Sequence, residues 1–140
     1  MSVYLDASVI IPLFADDLFT ARASAFLAEL AEPVVVSDFA AAEVASGVSK
    51  LVRMGSLPAK DGHACLADFD HWRLAEAAVC QTTSADIHRA GSYLRRLDLP
   101  LRTPDALNLA LAERLATPVA TFDRDMAACA RILGLRLTEI

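Results

Sequence analysis

The chain has no long apolar run. Its longest stretches without Asp, Glu, Lys or Arg are nine residues, at 7–15 and 77–85, whereas a membrane-spanning helix needs about 20 predominantly apolar residues. Cysteine is scarce. Cys65, Cys80 and Cys129 form no C-x-x-C pair, and an odd, scattered set suits reduced cytosolic thiols better than a disulfide framework. No basic segment precedes the first apolar residues and Asp6 sits among them, which does not describe a secretory leader. Positive charge is also short: 13 Lys and Arg face 18 Asp and Glu, a formal net charge of −5. Bulk positive charge is therefore not how this chain would hold a nucleic acid. A nuclease stays open, because a metal ion can neutralise acidic residues. Repeats, low-complexity tracts and Ser/Gly-rich linkers are absent too. At 140 residues the expectation is one cytoplasmic domain, 1–140.

What is present is a large apolar fraction, 55%, in short β-prone runs separated by helical periods. The runs are Val3–Leu5, 33–37 and 118–121, with a weaker one at 78–82 and a fifth candidate at 135–137. The triplet Val34-Val35-Val36 lacks polar alternation, as in a strand covered on both faces. Between the runs, Phe19, Ala23, Phe26, Leu27 and Leu30 recur at helical spacing. So do Val44, Val48, Leu51 and Val52, then Cys65, Phe69 and Trp72 after the break at 55–58. Ile87, Ala90, Leu94 and Leu97 predict another helix, capped by Thr83 or Ser84. Thr103 followed by Pro104 predicts a cap and a first helical residue, with Leu107, Ala110, Leu111 and Leu115 on one face. Asp123 opens a last helix that Gly134 closes. Such alternation predicts an α/β domain with a mostly parallel sheet and right-handed crossovers.

Function in open parallel sheets gathers at the carboxyl ends of the strands. Asp6 ends the first strand, Glu43 lies two turns into the helix after the second, and Asp123 follows the strand at 118–121. Asp105 sits in the first turn of the helix begun by Thr103 and Pro104. Each acid has an ordinary explanation as a cap, a dipole partner or a solvated helix residue. Together they make a demand, since two carboxylates about 4 Å apart repel by roughly 4 kcal/mol at an effective dielectric near 20. Raised pKa values or a hard cation such as Mg²⁺ or Mn²⁺ would relieve it, and Mg²⁺ held by few carboxylates typically serves phosphate chemistry.

The segments Tyr4-Leu-Asp-Ala-Ser-Val-Ile, Ala42-Glu-Val, Thr103-Pro-Asp-Ala-Leu-Asn-Leu-Ala and Ala120-Thr-Phe-Asp-Arg-Asp resemble the four acidic motifs of PIN-domain ribonucleases. The likeness is greatest to the VapC toxins of bacterial toxin–antitoxin pairs and covers nearly the whole chain in order. It implies a three-layer α/β/α fold and a metal-dependent endoribonuclease, with Asp6, Glu43, Asp105 and Asp123 as the catalytic, metal-binding quartet. Mg²⁺ is the implied ion and Mn²⁺ a substitute. Ser8, Thr103 and Thr121 match hydroxyl positions that orient the acids, and Asp125 is a candidate fifth acid. Asn108 stands where many relatives place histidine. The resemblance also implies an RNA substrate, a cognate VapB-like antitoxin, a homodimer, and promoter DNA bound only through the antitoxin.

Other signals carry less. Asp61, His63, Asp68, Asp70 and His71 do not place three ligands on one helical face, His88 lies among polar residues, and the cysteines lack a paired base and read as small core residues. Lys50, Arg53, Arg95, Arg96 and Arg102, with Asn108, are the candidate substrate contacts around an acidic centre. A receiver domain would need a lysine after its last core strand, and the only lysines are Lys50 and Lys60. A haloacid-dehalogenase-like phosphatase needs an aspartate where Ser8 stands. The alternative from a different class is a non-catalytic PIN-like binding module acting only through a protein partner, and the presence of all four acids argues against it.

Overall fold

In the computed structural model, which describes residues 1–140, the elements run β1 (Val3–Leu5), α1 (Ala7–Phe14), α2 (Thr20–Glu29), β2 (Val34–Ser37), α3 (Asp38–Arg53), α4 (Ala59–Glu76), β3 (Ala77–Cys80), α5 (Ser84–Leu94), α6 (Thr103–Arg114), β4 (Val119–Ala120) and α7 (Arg124–Ile132). All strand pairs are parallel, in the order β3-β2-β1-β4. The chain steps outward from β1 to β3 and then returns to the far side of β1. With right-handed crossovers, that reversal sends the later helices to the opposite face of the sheet.

Two cores result, one on each face. Successive strand residues point to opposite sides, so Val3, Leu5, Val34, Val36 and Ala120 pack with Ala7, Val9 and Ile10 of α1, Ala40 and Val44 of α3 and Phe69 of α4. Tyr4, Val35, Cys80 and Val119 face the other way, onto α5, α6 and α7. This is the expected three-layer α/β/α arrangement, and a sheet covered on both faces explains the unbroken valine run. Helix α6 lies deepest: every residue from 106 to 112 is buried, as for a helix apolar on nearly all sides. No helix is long and apolar enough to cross a membrane.

Three local expectations shift. The segment at 135–137 is no strand, since it meets the sheet through a single bridge between Val119 and Leu137; β4 is only two residues long and offers little edge to extend. Helix α6 is capped by Arg102 rather than Thr103, because Asp105 reaches back to accept the Arg102 backbone N–H at 3.1 Å. That places Thr103 and Pro104 in the first turn. Helix α5 is capped by Thr83 as expected, but its inward face is Asp86, Ala90 and Tyr93, while Ile87 and Leu97 are exposed. Polar partners on α6 decide this rotation. Arg114 donates to Asp86 from Nε at 2.7 Å and Nη2 at 2.9 Å, and the Tyr93 hydroxyl donates to Glu113.

The reversal of strand order falls between β1 and β4. In open sheets that is where a crevice opens beyond the carboxyl ends of the strands, and the residues following these two strands are where the acids begin.

Candidate functional site

Asp6 is the N-cap of α1, where its side chain accepts the Ser8 backbone N–H. Its Oδ1 also accepts the Ser8 hydroxyl at 2.6 Å, and its Oδ2 accepts the Thr121 hydroxyl at 2.8 Å. The two hydroxyls are anchored in turn: Ser8 Oγ accepts the Phe122 backbone N–H and Thr121 Oγ1 accepts that of Asp123. Each hydroxyl has one proton, and both protons go to Asp6. The carboxyl is thus locked between the end of β1 and the turn after β4. Burial drives its pKa up to about 6 and the Asp123 charge adds to the rise, while the bonds from Ser8, Thr121 and the Val9 backbone oppose it.

Glu43 is half-buried on α3, a helix capped by Ser37. Burial pushes its pKa up, the charges of Asp6 and Asp105 push the same way, and a hydrogen bond from Asn108 and the charge of Arg102 push back. Asp6 thus lies within charge range of both Glu43 and Asp123, and Glu43 within that of Asp105. Asp105 lies in the first turn of α6 with Arg102 Nε at 3.8 Å from its Oδ2. Asp123 caps α7, its Oδ1 accepting the Met126 backbone N–H at 2.9 Å. No three His, Cys, Asp or Glu side chains are already grouped to grip one ion: Asp105 and Asp123 are each engaged by a helix start.

Asn108, a candidate substrate contact on sequence, is turned inward. It is 2% exposed and spends its side chain inside the molecule. Its Nδ2 donates to Glu43 Oε1 at 2.6 Å and to the Pro104 carbonyl at 3.0 Å, and its Oδ1 accepts the Tyr4 hydroxyl at 2.6 Å. Tyr4 has thereby used its only proton, so the 2.7 Å contact with Ser37 Oγ is a bond that Ser37 donates. Ser37 Oγ accepts from the Ala40 backbone N–H at 2.9 Å. A single chain of protons, Ala40 to Ser37 to Tyr4 to Asn108 to Glu43, therefore crosses from β2 through β1 and α6 to the carboxylate on α3. Tyr4 and Ser37 were not singled out from sequence. A polar Asn108 inside the apolar stretch 106–112 was the available signal, because a buried amide must find partners.

The remaining candidates scatter. Thr103 is exposed and makes no side-chain hydrogen bond to any acid. Asp125 is exposed in the first turn of α7. Arg102 lies beside the acids, but Arg96 is paired with Asp98 at 3.0 Å and Arg95 is exposed at the end of α5. Lys50 and Arg53 sit in the last turn of α3, Lys50 about 10 Å further along the axis than Glu43 at 1.5 Å per residue. His63, Asp68, Asp70, His71 and His88 are exposed. Cys80 and Cys129 are buried, and Cys65 is half-buried with its thiol donating to the Phe14 carbonyl.

Among solved structures, VapC20 of Mycobacterium tuberculosis, described as a toxin cleaving the sarcin–ricin loop, superposes with a TM-score of 0.76 at 21% identity over 99% of each chain. VapBC2 of Rickettsia felis, bound to a promoter DNA fragment, gives 0.71 at 18% identity over 99% of this chain and 98% of that one. FitAcB of Neisseria gonorrhoeae gives 0.69 at 21% identity, covering 98% and 96%. These likenesses are of fold. No curated protein matches the sequence. The PIN domain profile matches residues 3–132, a span that takes in Asp6, Glu43, Asp105 and Asp123, and on that match the chain belongs to the PIN domain family.

Proposed function

We propose that the chain is a metal-dependent endoribonuclease that hydrolyses RNA phosphodiester bonds, acting as the VapC-type toxin of a type II toxin–antitoxin pair. The observation that carries the chemistry is the acceptor capacity left on the four acids. A carboxylate oxygen offers about two lone-pair directions. Asp6 Oδ1 spends both on Ser8, and Oδ2 spends one on Thr121. Glu43 is engaged at Oε1, Asp105 at Oδ2 and Asp123 at Oδ1. Glu43 Oε2, Asp105 Oδ1, Asp123 Oδ2 and one direction on Asp6 Oδ2 remain.

That donor set is all hard oxygen, which suits Mg²⁺ with Mn²⁺ as a substitute. It also fits the electrostatics, since a nearby cation reverses the upward push on Asp6 and Glu43. When bound, the ion supplies charge stabilisation at the phosphoryl oxygens and an acidified water. The chain's own part is preorganisation: Ser8 and Thr121 fix the plane of Asp6, and Asn108 fixes Oε1 of Glu43 so that Oε2 is the oxygen presented. The reading includes a VapB-like antitoxin, a homodimer, and promoter DNA bound through the antitoxin. The fold likeness to a VapBC2 complex on promoter DNA supports that partner.

The test is cleavage of RNA by the purified chain, freed of any partner, with Mg²⁺ or Mn²⁺ and with EDTA. Cleavage is expected only with metal, and Asp6→Asn and Asp105→Asn are expected to lose it while keeping the native circular dichroism spectrum. Undiminished cleavage in both variants overturns the assignment. Absence of cleavage by the wild type under every metal condition favours a binding module.

A further inference from the structure

Four arginines of the molecule are in ion pairs: Arg89, Arg96, Arg102 and Arg114. Arg22, Arg124 and Arg131 are exposed and in none, yet all three line one cavity of about 350 Å³. The cavity lies between the start of α2, one face of α7, the residues after β4 and the segment 137–140, and Thr121 and Asp123 form part of its wall. It therefore opens directly beside the acid centre. Asp123 and Glu139 are its only acidic side chains, and Asp123 belongs to the acid centre.

The same cavity carries an aromatic platform. Phe19 and Phe122 stack with centroids 4.6 Å apart at 21°, and the Arg22 guanidinium lies 5.1 Å from the Phe122 centroid and 5.9 Å from that of Phe19. Phe19 is 38% exposed although it is large and apolar. Arg124 and Arg131 are seven residues apart on α7, two turns and about 10 Å along one face, so they can meet different phosphates. Arg22 Nη2 already donates to the Ile140 main-chain oxygen at 2.9 Å, whereas Arg124 and Arg131 have no partner; such guanidiniums alone would suit any anion. Combined with stacked rings they fit a single-stranded nucleotide, whose base has a π-face and whose backbone is anionic. The volume falls within the roughly 300–1,000 Å³ usual for small-ligand sites.

We infer that this cavity seats a single-stranded RNA nucleotide flanking the scissile phosphate, with Phe19 and Phe122 as the base platform and Arg22, Arg124 and Arg131 as the phosphate contacts. The inference rests on the RNA-hydrolase reading above and names where the substrate leaves the acid centre. It also moves the basic contacts from Lys50, Arg53 and Arg95 to arginines that sequence spacing did not single out. An acidic peptide from a protein partner would use the guanidiniums but gain little from the rings.

The test is fluorescence anisotropy of a labelled single-stranded RNA oligonucleotide in EDTA, which stops turnover, across a salt series. The Arg124→Ala/Arg131→Ala double variant changes only exposed side chains. It is expected to bind more weakly, and its slope of log K against log salt is expected to be shallower by about 1.4, from roughly 0.7 per phosphate contact. Phe19→Ala is expected to lose roughly fivefold to a hundredfold in affinity for RNA, and almost nothing on an abasic oligonucleotide of the same length. Affinity and salt slope equal to wild type in the double variant overturn the inference. So does a Phe19→Ala defect as large on the abasic strand, or substitutions that weaken only a protein partner's hold. Intact metal-dependent cleavage with unchanged binding in the variants overturns this inference alone, whereas wild-type chain that neither binds RNA in EDTA nor cleaves it with Mg²⁺ or Mn²⁺ overturns the hydrolase reading with it.

Discussion

Replacing Asp6 by Asn is expected to stabilise the protein while abolishing its chemistry. Asp6 is 6% exposed, and its pKa rises from an ordinary 3.8 to about 6, first because of burial. A raised folded-state value means that the unfolded chain ionises Asp6 first. The stability this group allows is complete below pH 3.8 and is lost as pH rises toward 6. The shift of about two units corresponds to roughly 3 kcal/mol of destabilisation above pH 6. Asn keeps the shape and an oxygen for Ser8, and Thr121 can reorient its hydroxyl to accept from the new amide. Urea denaturation of wild type and Asp6→Asn from pH 3.5 to 8 measures the effect. The stability gap in favour of the variant is expected to open between pH 4 and 6 and to plateau near 3 kcal/mol, about 10 °C in Tm. Mg²⁺ is expected to raise the wild-type Tm and leave the variant's unchanged. Subtracting the variant curve removes carboxylates that titrate independently in the same window, though relief of Glu43 stays in the difference. A gap that is the same at pH 4 and pH 7.5, or a variant less stable than wild type at pH 7.5, refutes the reasoning.

Three further outcomes follow from the geometry. Asn108→Ala leaves the Tyr4 hydroxyl without its acceptor and Glu43 without its donor; Mn²⁺ affinity measured by electron paramagnetic resonance is expected to fall about 10- to 100-fold, as for supports of metal ligands generally, and unchanged affinity would show that Glu43 needs no such support. Asp86→Ala removes a 1%-exposed carboxylate that accepts two bonds from Thr83 and two from Arg114. It is expected to cost about 3 kcal/mol in urea denaturation, the low end for broken buried pairs because Arg114 is partly exposed. Gly62→Ala puts a methyl 2.7 Å from Val52 Cγ2 between α4 and α3 and is expected to cost about 1–3 kcal/mol, read as a lower Tm.

The sequence by itself determined what depends on neighbours along the chain. The strand–helix alternation, the α/β class with a mostly parallel sheet, and the acids at strand ends and helix starts all follow from local periods and capping chemistry. Asp6, Asp105 and Asp123 each sit beside a turn that their own side chains help to close. The inward face of α5 was legible only to within one residue, because Ile87 and Asp86 are adjacent and the apolar period favours the wrong one. Arg114 and Glu113, across on α6, decide between them. The same limit hid the bond path from Ser37 to Glu43. Its four side chains come from β2, β1, α6 and α3, and no sequence spacing links position 4 to position 108. Asn108 reads from sequence as a candidate substrate contact for that reason, and its place inside a helix buried from 106 to 112 is visible only in the fold. The arginine cavity is likewise tertiary. Arg22 and Arg131 are separated by most of the chain, and only the return of β4 to the side of β1 brings their elements together.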